Sequence, residues 1–375
     1  MTSSRGILWA SRDDTSPHPY LVAACRRAGE RVRDLRWAQA ADGRRPLGRV
    51  VQLGGRRAGR EHPMTVKLVG PRLLAAFAAA PEDVLVVYEL GLVGLYAGLA
   101  ARLRRRRVVS LVEGDYRHLG RTGTAGPKVA LRRLAARLVD VFVANNELAR
   151  RYLVATLGVP EDRIVVGWWL AGLPPELEAR RPAGAGPVPD GVPLFVCAGR
   201  LVPPKGVDLL LEAVALYRRD HGPCRLWVLG DGPDRAGLAA LARRLGVDDL
   251  VAFLGPVDHH GLKGALEACD ALVFPTLQDF IGRVVVEALT TGTPVVLSPM
   301  TGAAGTIVRD GDNGIVADPR DRRALAEALW RAADPPTLAA LRQGVARANR
   351  HLTPEAGAAV VLAAVALARR GRPAR

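Results

Sequence analysis

Two stretches hold the residues whose types and spacing could do chemistry. VCAGRLVPPKG carries Arg200 and Lys205, and FPTLQDFIGRVVVEALTTGTPVV, about seventy residues on, carries Asp279 and Glu287. In the first, an apolar run from Pro193 to Ala198 ends at Gly199, and a guanidinium and an ammonium follow across a proline-rich turn. Two cations at the C-terminal end of a strand suit a diphosphate, arginine as a planar fork and lysine as a compact point charge. The lysine is informative, because only four lysines (Lys67, Lys128, Lys205 and Lys263) stand among 53 basic residues. A chain so biased to arginine that places Lys205 beside a turn glycine has a use for the narrower group. Taken alone, the Arg-Lys pair reads equally well as a solvated strand-end turn.

The second stretch supplies the elements that must position these groups. Asp270 to Pro275 predicts a short buried strand, Gly282 to Leu289 a helix stopped by Thr291-Gly292-Thr293-Pro294, and Val295 to Leu297 the next strand. In such strand–helix–strand units ligands bind outside the carboxyl ends of the strands. Asp279 falls in the loop at the helix entrance and Glu287 about two turns further down. The N–H groups around Phe280, Ile281, Gly282 and Arg283 would face an anion held above the helix. A carboxylate not needed for charge can instead accept from sugar hydroxyls.

These motifs resemble the retaining GT-B glycosyltransferases of the large glycosyl transferases group 1, or family 4-like, group. The residues that carry the resemblance are Gly199-Arg200-Leu201 with Lys205-Gly206, then Gly230-Asp231-Gly232-Pro233, then Pro275-Thr276 through Asp279 and Gly282 to Glu287-Ala288. Gly292-Thr-Pro294-Val295 and Asp310-Gly311-Asp312-Asn313-Gly314 complete it, in matching order over roughly residues 193 to 320. Any one piece is weak, and the combination is specific.

The resemblance implies a GT-B fold, two Rossmann-like α/β domains facing a central cleft. It implies that Arg200 and Lys205 hold a donor diphosphate, that Glu287 accepts from the ribose, and that Asp279 contacts the transferred sugar. Gly199 and Gly230 would border the donor, and Leu254-Gly255 would lie near the base. Two departures stand out. The first acid of the pair is usually glutamate, and Asp279 is shorter by one methylene. Thr306 stands where the family often has a glutamate. On the acceptor side, Glu113 follows the strand VVSLV where the family often presents a histidine. It is the expected front-domain site residue, and His118 reads as a surface or helix-start histidine.

Composition bounds the rest. At 375 residues with 49% apolar content, the chain suggests two domains, each with its own core. Alternating β and α patterns predict residues 1–170 as an N-terminal Rossmann-like domain on the acceptor side. Residues 171–192 read as a linker, 193–353 as the donor-side domain, and 354–375 as a helix that in the resembling family crosses back to the first domain. Val84 to Ala101 is apolar enough to suggest a membrane span, but DVLVVYE followed by LGLVGLYAGLAARL reads better as strand then helix. Four cysteines (Cys25, Cys197, Cys224, Cys269) without paired spacing indicate neither a zinc site nor a disulfide framework. Asn145 or Asn146 reads as a helix cap.

Charge is uneven. Residues 1–185 carry 31 basic against 17 acidic side chains, a net +14, and residues 186–375 carry 22 against 20, a net +2. The front-domain excess fits an anionic membrane or an anionic acceptor, or simple decoration of solvated faces. Few aromatics and no motif argue against nucleic acid. The expectation is a carbohydrate-biosynthesis transferase moving a sugar, with retention, from a UDP- or GDP-sugar to an acceptor hydroxyl on a lipid, glycan or small metabolite. No cofactor or metal is expected; Asp13-Asp14, the adjacent acidic pair in the front domain's first turn, reads as a surface loop. A catalytically silent sugar-nucleotide-binding relative is the alternative. The absence of a recognisable leader in MTSSRG points to the cytoplasm, with peripheral contact at an anionic membrane as a further expectation.

Overall fold

Short runs of branched apolar residues, each closed by glycine, proline or a polar turn, become strands here, and the segments between them become helices. The computed structural model describes residues 4–11, 18–36, 48–53, 64–69, 71–88, 90–113, 127–170, 172–279 and 281–371. They fall into two compact units, Met1–Ala171 with Pro354–Arg375, and Gly172–Thr353.

In the first unit the strands are β1 (Ser4–Ser11), β2 (Val32–Arg36), β3 (Gly48–Leu53), β4 (Met64–Val69), β5 (Glu82–Tyr88), β6 (Arg107–Val112), β7 (Val141–Ala144) and β8 (Ile164–Val166). Six of them form a parallel sheet in the order β2-β1-β5-β6-β7-β8. β3 and β4 make a separate antiparallel pair, with Gly48 opposite Val69. The helices are α1 (His18–Arg27), α2 (Pro71–Ala79), α3 (Leu92–Arg104), α4 (Pro127–Leu138) and α5 (Glu147–Arg151).

The apolar run at Val84 is the strand and helix that its sequence suggested. Val84 to Val87 are fully buried in β5, and α3 packs against α2 and α4. Gly98 allows that packing: a Cβ there would lie 2.3 Å from the Leu138 Cβ. Asn146 caps α5, its Oδ1 accepting from the Ala149 amide at 2.8 Å.

The second unit has a parallel sheet of β9 (Leu194–Ala198), β10 (Arg225–Leu229), β11 (Val251–Gly255), β12 (Ala271–Phe274), β13 (Val295–Leu297) and β14 (Gly314–Val316). Its order is β11-β10-β9-β12-β13-β14. Helices α6 (Val207–His221), α7 (Arg235–Arg244), α8 (His259–Ala268), α9 (Arg283–Thr290), α10 (Arg322–Ala333) and α11 (Pro335–Asn349) connect and cover it.

The stretch 172–192, expected as a linker, has no regular structure but is docked on the second unit. Lys263, buried on α8, donates its Nζ to the carbonyls of Pro175 at 2.7 Å and Leu177 at 2.6 Å, and the Arg180 amide donates to His260 O at 3.0 Å. A lysine under a chain of carbonyls ties that segment down as a capping group would. The final helix, α12 (Pro354–Arg370), is part of the first unit, against α1, β6, β7 and β8. Pro335–Arg370 is long and apolar enough to cross a membrane by length and composition, with a peak mean hydropathy of 1.5. In α12 that apolar content supplies the buried face of Val361, Ala364, Val365 and Ala368. All four cysteines are free and buried, and burial pushes the thiols of Cys25, Cys197 and Cys224 up to about 12.

Candidate functional site

β10 and β11 lie on one side of β9, and β12 to β14 on the other, so the strand order reverses between β9 and β12. In a doubly wound sheet that reversal parts the loops at the carboxyl ends and opens a crevice where ligands bind. Both sequence-predicted motifs leave the sheet at this point, one after β9 and one after β12.

The two loops are stitched together by their own polar groups. Thr276, fully buried, donates its hydroxyl to Pro204 O at 2.9 Å and accepts from the Gln278 amide at 3.3 Å, while the Leu277 amide donates to the same Pro204 carbonyl at 2.8 Å. Gly206 completes the junction. It sits at φ 65°, and a Cβ on it would fall 2.2 Å from Pro275 O. The left-handed turn and the close approach both require glycine. This junction fixes Lys205, the residue before it.

Lys205 Nζ is ion-paired with Asp279 Oδ2 and lies 5.2 Å from the centroid of the Phe274 ring. Its charge is therefore held by a carboxylate and an aromatic face together. Arg200 is exposed beside Gly199 and bonds no other side chain among the described residues. Gly199, Arg200, Lys205, Phe274 and Pro275 line one small cavity. Gly199 and Gly230 join the neighbouring strand ends: the Gly199 amide donates to Leu229 O at 2.9 Å, and the Gly230 amide to Gly255 O at 2.7 Å. Leu254 is half-buried on β11, one strand further out.

Asp279 is held by its backbone, its amide donating to Met300 O at 3.3 Å. Phe280 lies outside the described residues. Ile281 is buried, and its carbonyl accepts from the Thr301 hydroxyl at 3.0 Å. Gly282 is the left-handed residue before α9, whose start has no side-chain cap; the Val285 amide already donates to Gly282 O at 2.9 Å. Glu287 is buried on α9 with Arg283 Nη2 at 3.7 Å. Burial pushes its carboxyl above the usual carboxylate range, against the opposing pull of Arg283 and His259.

The arrangement offers an exposed guanidinium, a half-buried ammonium and a helix N-terminus for an anion, with two carboxylates placed to accept hydrogen bonds.

Residues 192–334 match the family model described as glycosyl transferases group 1. The second unit is a member of that family. The chain is 34% identical over 270 residues to a D-inositol 3-phosphate glycosyltransferase of Acidothermus cellulolyticus, covering 66% of this chain and 56% of that protein. It is 34% identical over 200 residues to its Nocardia farcinica counterpart, covering 51% and 44%. An exopolysaccharide phosphotransferase of Streptomyces coelicolor is 30% identical over 285 residues, covering 70% and 27%. The chain thus spans about half or less of the length of these relatives. Among solved structures, Anabaena HepE in complex with UDP and glucose superimposes with a TM-score of 0.72 at 18% identity, over 97% of this chain and all of that one. Sucrose-phosphate synthase from Thermosynechococcus elongatus gives 0.70 at 18% identity, over 97% and 98%. The fold is GT-B.

The sequence-predicted residues Gly199, Arg200, Lys205, Gly230, Asp279, Gly282, Arg283 and Glu287 all follow the carboxyl ends of β9, β10 and β12 in one sheet. Glu113 belongs to the first unit, half-buried just beyond β6. His118, the Asp13-Asp14 pair and most of the first loop lie outside the described residues. Thr306 spends its hydroxyl on the carbonyls of Gly302 at 2.5 Å and Ala303 at 3.1 Å, so it does not replace the family's glutamate as a free polar group. In the Asp310 to Gly314 motif, Asn313 is buried and closes its own loop, accepting from the Arg309 amide and donating to Ile307 O, both at 2.8 Å.

Phe274 was passed over by motif reasoning, and Thr276, named within the Pro275-Thr276 motif, was given no role of its own. Phe274 ends an apolar strand and reads as core, and a threonine after proline reads as a turn; only the Lys205 contact and the bonded Pro204 carbonyl reveal their positioning roles. Among the described residues, no group of three or more His, Cys, Asp or Glu is placed to hold a metal.

Proposed function

We propose that the chain is a retaining glycosyltransferase that moves a sugar from a nucleoside-diphosphate sugar, with UDP or GDP as the nucleotide, to an acceptor hydroxyl without a metal. The observation that carries this reading is the junction at the strand-order reversal. It puts Arg200 and Lys205 on one loop against Asp279 and the start of α9 on the other. The family match, and the UDP recorded with the HepE neighbour, support the donor class.

Arg200, Lys205 and the first-turn amides of α9 stabilise the diphosphate as its negative charge grows. The bond from the sugar C1 to the diphosphate oxygen breaks through an oxocarbenium-like state. The acceptor oxygen bonds to C1 on the same face, and its proton passes to the departing phosphate oxygen. Glu287 accepts from the ribose hydroxyls and Asp279 from a hydroxyl of the transferred sugar. Lys205 must exchange its Asp279 partner for phosphate when donor binds, and that exchange frees Asp279 for the sugar. Gly199, Gly230 and Leu254 border the nucleotide, and Glu113 serves the acceptor side.

For the first unit we propose a peripheral contact with an anionic membrane surface, supported by Leu99 and Leu103, 39% and 74% exposed on α3 beside Arg102 and Arg104. Co-sedimentation with anionic vesicles should fall steeply with salt, and equal partitioning onto neutral vesicles removes the claim.

The test of the transferase reading is release of free UDP or GDP from a panel of donor sugars, with and without lipid, glycan and small-molecule acceptors. Acceptor-dependent release supports it. Tight donor binding with no turnover under any acceptor assigns the catalytically silent alternative instead.

A further inference from the structure

An arginine-rich cavity lies within the first unit, lined entirely by its residues, with a volume of about 740 Å³. It opens where β6 and β7 begin, at Arg107 and Val141, between the C-terminal ends of α3, α4 and α12. Glu113 follows the far end of β6, about 20 Å away at 3.3 Å per strand residue.

Six arginines line this cavity, Arg102, Arg105, Arg106, Arg107, Arg137 and Arg163, against Asp140 and Asp162, but Arg106 turns its guanidinium aside toward Phe77 and Glu82. The simplest account of arginines here is that they neutralise helix C-termini. Three such ends contribute roughly 1.5 negative charges, and the two aspartates two more. With Arg106 turned aside, the other five guanidiniums leave about one and a half positive charges over. Asp140 is itself occupied, accepting from Arg107 at 3.1 Å and from the Val108 amide at 2.8 Å.

Two further features set the cavity apart from surface decoration. Arg105 is the one non-glycine residue at positive φ among those described, at 53°. It closes α3 in a left-handed conformation where glycine is the ordinary choice, so a guanidinium is held there against backbone preference. Its side chain, and that of Arg137, bond to nothing among the described residues. Arg106, on the α2 side with its Nη1 donating to Phe77 O at 3.1 Å, contributes only to the wall. Arg163 is already committed to backbone carbonyls, with Nε 3.0 Å from Asp140 O, and forms part of the wall.

We propose that this cavity is a binding site for a ligand bearing more than one phosphate charge, distinct from the nucleotide-sugar site and gripped chiefly by Arg105 and Arg137. Planar guanidiniums converging from separate elements suit phosphate oxygens. The volume lies within the range of small-molecule sites and exceeds what a single phosphate fills. The proposal does not rest on the transferase reading.

The test uses the full chain and inorganic tripolyphosphate as probe, with affinity read by calorimetry and by thermal shift. Wild type and Lys205→Ala should bind it alike through this site, whereas an Arg105→Gly, Arg137→Gln double variant should bind at least about tenfold more weakly. Neither replaced side chain holds a structural bond, and glycine fits the left-handed position. The unliganded melting midpoint of the double variant should therefore be no lower than that of wild type, which separates lost binding from lost fold. Displacement of wild type from phosphatidylglycerol vesicles by tripolyphosphate would identify a lipid headgroup as the source of the phosphate. Tripolyphosphate binding without such displacement would identify a soluble one. Unchanged affinity in the double variant, or no binding by wild type, overturns the proposal.

Discussion

Lys205 shows how one residue type can be legible while its partner is not. Its rarity in an arginine-rich chain marks it, yet nothing in the sequence states that Asp279 holds it in the absence of ligand. That contact spans 74 positions and depends on the sheet order. Lys205→Ala should lower turnover by about 100- to 1000-fold, the scale of losing one preorganised charge donor, in a steady-state assay of nucleoside diphosphate release. Near-normal turnover in a folded variant removes the assignment. Glu287 makes a second, opposite-looking prediction. Its folded carboxyl titrates above its unfolded value, so its ionisation opposes folding. The stability it confers is complete below the unfolded pKa, about 4.3, and is lost as pH rises through the raised folded value. Glu287→Gln should therefore gain melting temperature over wild type at pH 8 relative to pH 4, while binding nucleoside diphosphate more weakly. A difference in melting temperature between variant and wild type that is the same at both pH values contradicts the cause given for the shift.

Strands announced by four or more branched residues and a closing turn were readable, as were the helices between them, and so was the asparagine cap of α5. β14 was not, because it starts inside the Asp310 to Gly314 turn motif, and the β3–β4 pair was hidden because basic and polar residues break its apolar runs. The stretch before Pro193 read as a linker from its prolines and glycines; composition cannot reveal that Lys263 binds its carbonyls. The loop junction at Pro204 and Thr276 belongs to this scale as well. Gly206→Ala should lower stability by about 2 kcal/mol, from the left-handed backbone and the Pro275 carbonyl combined, measured by urea denaturation. Thr276→Val should cost about 1–2 kcal/mol by leaving the buried Pro204 carbonyl and Gln278 amide without the hydroxyl. Stability equal to wild type in both variants would mean that the junction does not hold the two loops together.

The fold class and the motif-bearing second sheet could be read from the sequence because parallel α/β units repeat one pattern. The first unit's site could not, since its loops hold few of the expected residues and Glu113 stands without a motif around it. The return of α12 to the first unit is fastened by Arg369, which bonds Glu30 at 2.8 Å and Asp83 at 2.9 Å. Arg369→Gln should lower the melting temperature and leave nucleotide affinity unchanged, a pair of readouts that separates this fastening from the donor site. The central claim concerns charge: side chains and a helix end neutralise a nucleotide diphosphate without metal. Calorimetric titration with UDP and GDP in the presence of EDTA tests it most directly, on wild type, Lys205→Ala, Glu287→Gln and Asp279→Asn. We expect wild type to bind at least one nucleotide with EDTA present, Lys205→Ala and Glu287→Gln to weaken that binding, and Asp279→Asn, which releases Lys205 from its ion pair, to leave it undiminished or stronger. Binding that disappears with EDTA and returns with magnesium or manganese, or weakening by Asp279→Asn alone, would contradict the account.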